Sequence, residues 1–275
     1  MQRVERRPQV VAHRGSSYDK PEHTLSAYVA ALDTGVEGLE CDVRLTADGH
    51  LVCVHDRRVD RTTNGHGVVS TMDLAQLDEL DFGSWKTSWG ALGDEVPEVP
   101  ELDEDTRRVL TLRRLVETVR DYDRPVELAI ETKHPTRYAG LVERRLIELL
   151  ESVGWAGAGS PVRVMSFSPV ALTRVQRLAP DLEVVLLLDR QYPWKVATSV
   201  LGPGWIAGPG VDLLREHPRL GRRLRKNGRR IHVWTVNTQE DLEMCVALGA
   251  EAVITDDPQR ILKQLHHPAS FGRGA

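Results

Sequence analysis

Short β-branched or apolar runs recur along this chain, and each is followed by a stretch with helical spacing. That alternation restricts the fold more than any other feature, because it is the pattern of repeated βα units around a parallel sheet. The runs fall at 9–12, 38–43, 126–131, 162–166, 183–188, 205–207, 230–236 and 250–255. Eight such units close a TIM (β/α)8 barrel. The sixth run is the weakest, since Gly202, Pro203, Gly204, Gly208, Pro209 and Gly210 crowd it with breakers. Stretches 24–34, 112–120, 137–153 and 238–248 have apolar residues near helical spacing and supply an outer ring. Between about 57 and 109 the rhythm breaks, with Asn64-Gly65, Gly67, tryptophans, an acidic run and prolines. The expectation is therefore one domain over 1–275, a barrel with a small insertion after the second strand at about 57–109.

Bulk properties exclude several classes of function. The 275 residues are 41% hydrophobic and 28% charged, enough to bury a sizeable core. Against 40 acidic residues stand 36 Lys and Arg, giving a net charge of -4 and no basic excess to hold nucleic acid. No stretch approaches the roughly 20 continuous apolar residues of a membrane span. The N-terminal residues before Pro8 carry no apolar signal region, and Cys41, Cys53 and Cys245 form neither an even set nor a CxxC pair. Both features lead us to expect buried thiols in a reducing cytoplasm.

In the second strand, alternation puts Leu39, Cys41 and Val43 on one face and Glu40 and Asp42 on the other. In a barrel that second face is the interior, where two like charges are costly without a partner. The third strand sends Ala129, Glu131 and Lys133 inward and Leu128 and Ile130 toward the helices. Three carboxylates with no nearby thiolate suit one hard divalent cation, Ca2+ or Mg2+. Asp48-Gly49 signals a two-residue hairpin; if Ala47 pairs with His50, His55 falls opposite Asp42 on the same face. His13 and Arg14 end the first strand, where a barrel carries its chemistry. Two histidines beside a cation, with Arg14 and Lys133 as fixed charges, can bind a phosphodiester and move protons on it. His134 and His232 are rivals for the second histidine. Trp234 shares a strand face with His232 and Val236; it walls the pocket if that face is interior and packs on helices if it is not, and Phe167 has the same two options.

Taken together, these residues resemble the glycerophosphodiester phosphodiesterase family. The likeness runs from His13-Arg-Gly through Pro21-Glu22-His23-Thr24, Glu40-Cys-Asp42, Asp48-Gly49, His55-Asp56 and Arg61–Gly67 to Glu131-Thr-Lys133, Val233–Asn237 and Ile254–Pro258. It implies a metal-dependent hydrolase cleaving glycerophosphodiesters to sn-glycerol 3-phosphate and an alcohol, through a cyclic phosphate. The implied metal ligands are Glu40, Asp42 and Glu131, with acid/base groups His13 and His55 and phosphate contacts from Arg14 and Lys133. His23 replaces the asparagine usual in the family, which puts the hydrogen bonding of Glu22 in question more than the metal site. A lysophospholipase D or sphingomyelinase D-like activity and a non-catalytic phosphodiester-binding protein are the alternatives.

Overall fold

The computed structural model describes residues 7–87, 103–134, 140–190 and 199–266. Strands β1 (Gln9–His13), β2 (Gly38–Leu45), β4 (Glu127–Thr132), β5 (Val162–Ser166), β6 (Glu183–Leu188), β7 (Ile206–Pro209), β8 (His232–Val233) and β9 (Ala252–Thr255) pair in parallel in the order β7-β6-β5-β4-β2-β1-β9-β8. Parallel bridges Ala207–Ile231 and Gly210–Trp234 join β7 to β8 and close the ring. The fold is the expected (β/α)8 barrel. β3 (Leu51–Cys53) lies off this path, antiparallel to β2. Glu40 O accepts the Arg14 N–H, and Asp42 O, two residues on and so on the same edge, accepts the Val54 N–H. β3 therefore continues the side of β2 that β1 leaves.

Around the barrel run α1 (Leu25–Asp33), α5 (Leu112–Arg120), α6 (Leu141–Ser152), α7 (Pro169–Leu178), α8 (Val211–Glu216), α9 (Pro218–Lys226), α10 (Gln239–Leu248) and α11 (Pro258–His266). Several begin at a side-chain cap that satisfies an orphan N–H: Thr24 for α1, Thr111 for α5, Ser168 followed by Pro169 for α7, Thr238 for α10. One apolar cluster fills the space between sheet and helices and includes Leu39, Cys41, Val43, Leu128 and Ile130. A second fills the interior with Val11, Ala129, Met165, Val185, Leu187, Ile206, Ala252 and Ile254. The alternation read from β2 and β4 thus sorts residues as expected. Among the described residues no helix is long and apolar enough to cross a membrane, and the three cysteines are free and buried.

Three local expectations differ from the structure. The sixth barrel strand is Ile206–Pro209 rather than 205–207: Trp205 joins the outer cluster and its indole donates to Gln176. Regular pairing in 230–236 is confined to His232–Val233, and Val236 lies in the outer cluster while Trp234 packs on the interior one. The hairpin register is shifted by one. Val43 pairs with Cys53 and Leu45 with Leu51, so the loop holds three residues, Ala47-Asp48-Gly49. Thr46 is the cause: its N–H bonds the His50 carbonyl, its hydroxyl donates to Asp48 and accepts from the His50 N–H, and Gly49 takes the left-handed conformation at φ 89°. The start of the expected helix 137–153 lies partly outside the described residues, and α6 is seen from Leu141.

Between β3 and α5 the chain forms a 3-10 turn (Val69–Thr71) and short helices α2 (Leu74–Asp78), α3 (Ser84–Thr87) and α4 (Glu104–Arg107). Val52, Val54, Val59, Val69, Leu77, Phe82 and Val109 give this segment an apolar cluster of its own.

At the mouth, Gly15 turns the chain from β1 toward α1 at φ 84°, and a Cβ there would lie 2.6 Å from the Ala27 carbonyl carbon and 2.8 Å from its Cβ. Gly15→Ala should therefore cost about 1–3 kcal/mol of overpacking and about 1–2 kcal/mol for the left-handed backbone. Urea unfolding should show a clearly lowered midpoint; an unchanged midpoint would mean that α1 does not constrain this turn.

Candidate active site

Parallel register builds the site. His13 pairs with Glu40 across β1 and β2, and Asp42 pairs with Glu131 across β2 and β4, so the acids gather on neighbouring strand ends. One oxygen each from Glu40, Asp42 and Glu131 lies within 4.8 Å of the others, and all three residues are buried. Lys133 Nζ sits 2.8 Å from both Asp42 Oδ1 and Glu131 Oε1, and Arg14 Nε is 2.9 Å from Asp42 Oδ2. Two cations serve three acids. Burial alone would raise the Asp42 pKa, but Lys133 and Arg14 hold it well below the usual carboxylate range. Burial and the charge of Asp42 push Glu40 well above that range, and the same two causes lift Glu131 to about 8.

This arrangement fits a divalent cation. Oxygen ligands at about 2.0–2.6 Å from Mg2+ or Ca2+ stand at most about 4–5 Å apart, which the triad satisfies. Asp42 Oδ1 also lacks an aligned hydrogen bond despite the nearby ammonium, leaving a buried oxygen with capacity to coordinate.

His23 bears on this triad. Its Nε2 is 2.9 Å from Asp42 Oδ2 and its Nδ1 2.8 Å from the Tyr28 hydroxyl. Burial lowers the His23 pKa, which favours a neutral ring. A neutral ring facing a carboxylate carries its proton on Nε2, so the Tyr28 hydroxyl donates to Nδ1. The Glu40 carbonyl, also 3.1 Å from that hydroxyl, keeps the Arg14 N–H. The expectation that His23 would disturb Glu22 is thus corrected: His23 points to Asp42, while Glu22 pairs with Arg14 and Arg61. Burial would raise Glu22, but the Arg61 hydrogen bonds and the Arg14 charge bring it down to about 2.

His13, Arg14, Glu40, His55, Glu131 and Lys133 line one side of a cavity of about 230 Å3 at the barrel mouth. Met165, Phe167, Leu187, Trp234 and Ile254 form the apolar side, with Phe167 edge-on to Trp234 at 5.5 Å between ring centroids. The interior option therefore holds for both rings, and the indole N–H donates to the Gly208 carbonyl. His55 reaches the cavity by a route other than the expected hairpin register. Val54 stands opposite Asp42, the ladder ends, and Arg44 grips the His55 carbonyl with Nε and Nη2 at 3.0 and 2.7 Å. His134 instead meets the buried Glu143 of α6 at 3.0 Å. His232 pairs with Ala252, as Gln9 does, and so lies at the opposite end of the barrel from His13.

A carboxylate stands behind each cavity histidine. His13 Nδ1 is 2.6 Å from Asp256 Oδ1, and His55 Nδ1 is 2.7 Å from Asp56 Oδ1, which leaves Nε2 of each ring for the cavity. Asp256 is held in turn by Ser17 and Asn237. Sequence reasoning gave neither aspartate a role, although Asp56 is adjacent to His55 and Asp256 lies in the quoted Ile254–Pro258 stretch. Burial lowers His55 to about 4, with Lys133 and Arg14 adding to the effect against Asp42.

Because burial and the Asp42 charge raise Glu40 and lift Glu131 to about 8, cation binding should displace protons from these acids. Titration calorimetry at pH 7 in buffers of differing ionisation enthalpy should show proton release, and affinity should rise with pH up to about 8, the Glu131 value. Glu131→Gln should reduce that release and weaken binding at least tenfold, by analogy with lost charged ligands (~1.5–3 kcal/mol). Unchanged ion affinity would remove Glu131 from the ligand set.

The Glycerophosphoryl diester phosphodiesterase family model matches residues 13–260. The chain is 46% identical over 258 residues to a Mycobacterium tuberculosis H37Rv protein named probable glycerophosphodiester phosphodiesterase 1, covering 92% of this chain and 90% of the relative. It is 33% identical to a glycerophosphodiester phosphodiesterase of Caldanaerobacter subterraneus subsp. tengcongensis, over 92% of this chain and 96% of that one. Among solved structures, an Oleispira antarctica phosphodiesterase in complex with its product sn-glycerol-3-phosphate superposes with a TM-score of 0.76 at 25% identity, covering 94% of this chain and 97% of the other. With the fold, the buried acids and the paired histidines in place, these matches make the chain a member of the glycerophosphodiester phosphodiesterase family.

Proposed function

We propose that this chain hydrolyses glycerophosphodiesters to sn-glycerol 3-phosphate and an alcohol with one divalent cation, Ca2+ or Mg2+, as cofactor, and that residues 1–275 act as one catalytic domain with 57–109 as a cap. The observation that carries the reading is the convergence of His13 and His55 on the cavity that also receives Glu40 and Glu131. Glu40, Asp42 and Glu131 would hold the ion, which when bound offsets negative charge developing on the phosphoryl oxygens. Arg14 and Lys133 bind the remaining phosphoryl oxygens, and Phe167 and Trp234 take the carbon face of the glycerol. The bound glycerol 3-phosphate of the Oleispira antarctica relative supports a substrate of this class.

In the first step the vicinal glycerol hydroxyl attacks phosphorus. Its attachment gives it a large effective-molarity advantage over free water. His55, neutral because its pKa is lowered to about 4, takes the hydroxyl proton, and His13 gives one to the departing alkoxide. The P–O bond to the head group breaks as the ring P–O bond forms. Water then opens the cyclic phosphate with the two histidines in exchanged roles. A cavity of about 230 Å3 suits a glycerol phosphate, being smaller than the about 300–1,000 Å3 of sites that enclose drug-sized ligands. An acyl chain would have to lie outside it, which sets the lysophospholipase D and sphingomyelinase D-like alternatives behind this one.

Glycerophosphocholine, glycerophosphoethanolamine and lysophosphatidylcholine, each assayed with Ca2+ and with Mg2+, should show turnover of the glycerophosphodiesters and little of the lysolipid. No turnover of any diester with either ion would favour a binding protein. An analogue with the vicinal hydroxyl replaced by hydrogen should bind but turn over at least a hundredfold more slowly, a fraction of the ~10^5 M effective molarity at stake. Hydrolysis at the parent rate would favour direct attack by water.

A further inference from the structure

Arg61 stands on the segment between β3 and α5, yet its guanidinium is shared between two loops of the barrel mouth. Nη1 and Nη2 fork onto Glu22 at 2.8 and 2.7 Å, while Nε lies 2.6 Å from Asp56 Oδ2. The other oxygen of Asp56 holds His55 Nδ1, and Glu22 Oε1 also accepts from Arg14 Nη1 at 3.0 Å. An unbroken chain of hydrogen bonds results, from Arg14 through Glu22, Arg61 and Asp56 to His55. The Trp85 ring packs against the guanidinium at 5.9 Å from its centroid and helps fix its plane.

Arg61 is not among the residues lining the cavity and is 44% exposed along its side chain. Isolated ion pairs so exposed contribute little. This one differs because a single rigid fork satisfies two carboxylates at once, each of which already orients a group in the cavity. We propose that Arg61 is a positioning residue that couples the phosphate-binding arm of the site to its proton-transfer arm. By holding Glu22 it fixes the Arg14 guanidinium, and by holding Asp56 it fixes the His55 ring. The inference rests on the roles given to Arg14 and His55 above.

A plain tether between this segment and the barrel is the competing explanation, and Lys86 of α3 separates the two. Its Nζ donates to the carbonyls of Ser17 and Lys20, a tie of the same segment to the β1–α1 loop that touches neither Arg14 nor His55. The test uses the full chain with its cation and compares Arg61→Ala, Arg61→Lys, Glu22→Gln, Asp56→Asn and Lys86→Ala. The readouts are kcat and KM on a turned-over glycerophosphodiester, affinity for sn-glycerol 3-phosphate by calorimetry, and circular dichroism with a thermal midpoint.

Arg61→Ala should lower kcat and weaken glycerol 3-phosphate, each roughly ten- to hundredfold, the range for losing hydrogen bonds to charged groups. Arg61→Lys, folded but able to serve one carboxylate at a time, should recover one effect and not both. Glu22→Gln should act mainly on binding and KM, Asp56→Asn mainly on kcat, and adding either to Arg61→Ala should cost less than it does alone. Lys86→Ala should keep parent kinetics at a lower thermal midpoint. Arg61→Ala with parent kcat and affinity, or Lys86→Ala with the same kinetic losses, would overturn the coupling. A parent enzyme that turns over no diester would instead overturn the functional reading, and equal affinity of parent and Arg61→Ala for inorganic phosphate would in that case overturn this inference too.

Discussion

Three carboxylates gathered at the end of a parallel sheet, with two cations to serve them, are the constraint around which the barrel mouth is organised. Parallel register leaves β2 and β4 no choice about where Glu40, Asp42 and Glu131 point once Leu39, Cys41, Leu128 and Ile130 are buried against the helices. The irregular features nearby follow from that crowding. Arg14 and His23 both adopt left-handed backbone, at φ 58° and 62°, and both bring a nitrogen to the same Asp42 oxygen, Oδ2. Gly15 lets the same loop pass against Ala27, so that α1 can present Tyr28 to His23.

The two ends of the barrel handle charge differently. At the N-terminal end, buried Arg163 meets Glu127 and Gln9, and Arg230 is shared by Glu183 and Glu251, while all three acids stay about half exposed to water. Solvent helps to offset the charge there. At the C-terminal end three acids likewise share two bases but are buried, so that a further cation is needed to offset their charge. Stability and chemistry thus occupy opposite ends of one set of strands.

Much of this was legible in the chain because it depends on short-range periodicity. Breaker-bounded β-branched runs located the strands closely, and alternation alone sorted inward from outward residues in β2 and β4. Legibility failed where a side chain competes with the backbone, as at Thr46, whose hydroxyl turns a two-residue hairpin into a three-residue one. It failed again over distance. Asp256 is 243 residues from the histidine it supports, and Glu22 is 39 from Arg61, so no local pattern pairs them. His55 reached the cavity as expected but through the grip of Arg44 on its carbonyl, a contact that a count of strand positions does not contain.

The small apolar cluster of the segment after β3 has a consequence for how such a chain can change over generations. Val59, Val69, Leu77 and Phe82 pack with one another and belong to neither barrel cluster. A substitution at Val69 or Leu77 therefore falls first on this cluster, which meets the barrel through Val52 and Val54. Positions of this segment away from Arg61 can therefore drift in sequence at a rate set by their own packing, while the barrel beneath stays fixed. New surface chemistry can arise there without re-solving the problem of three buried charges.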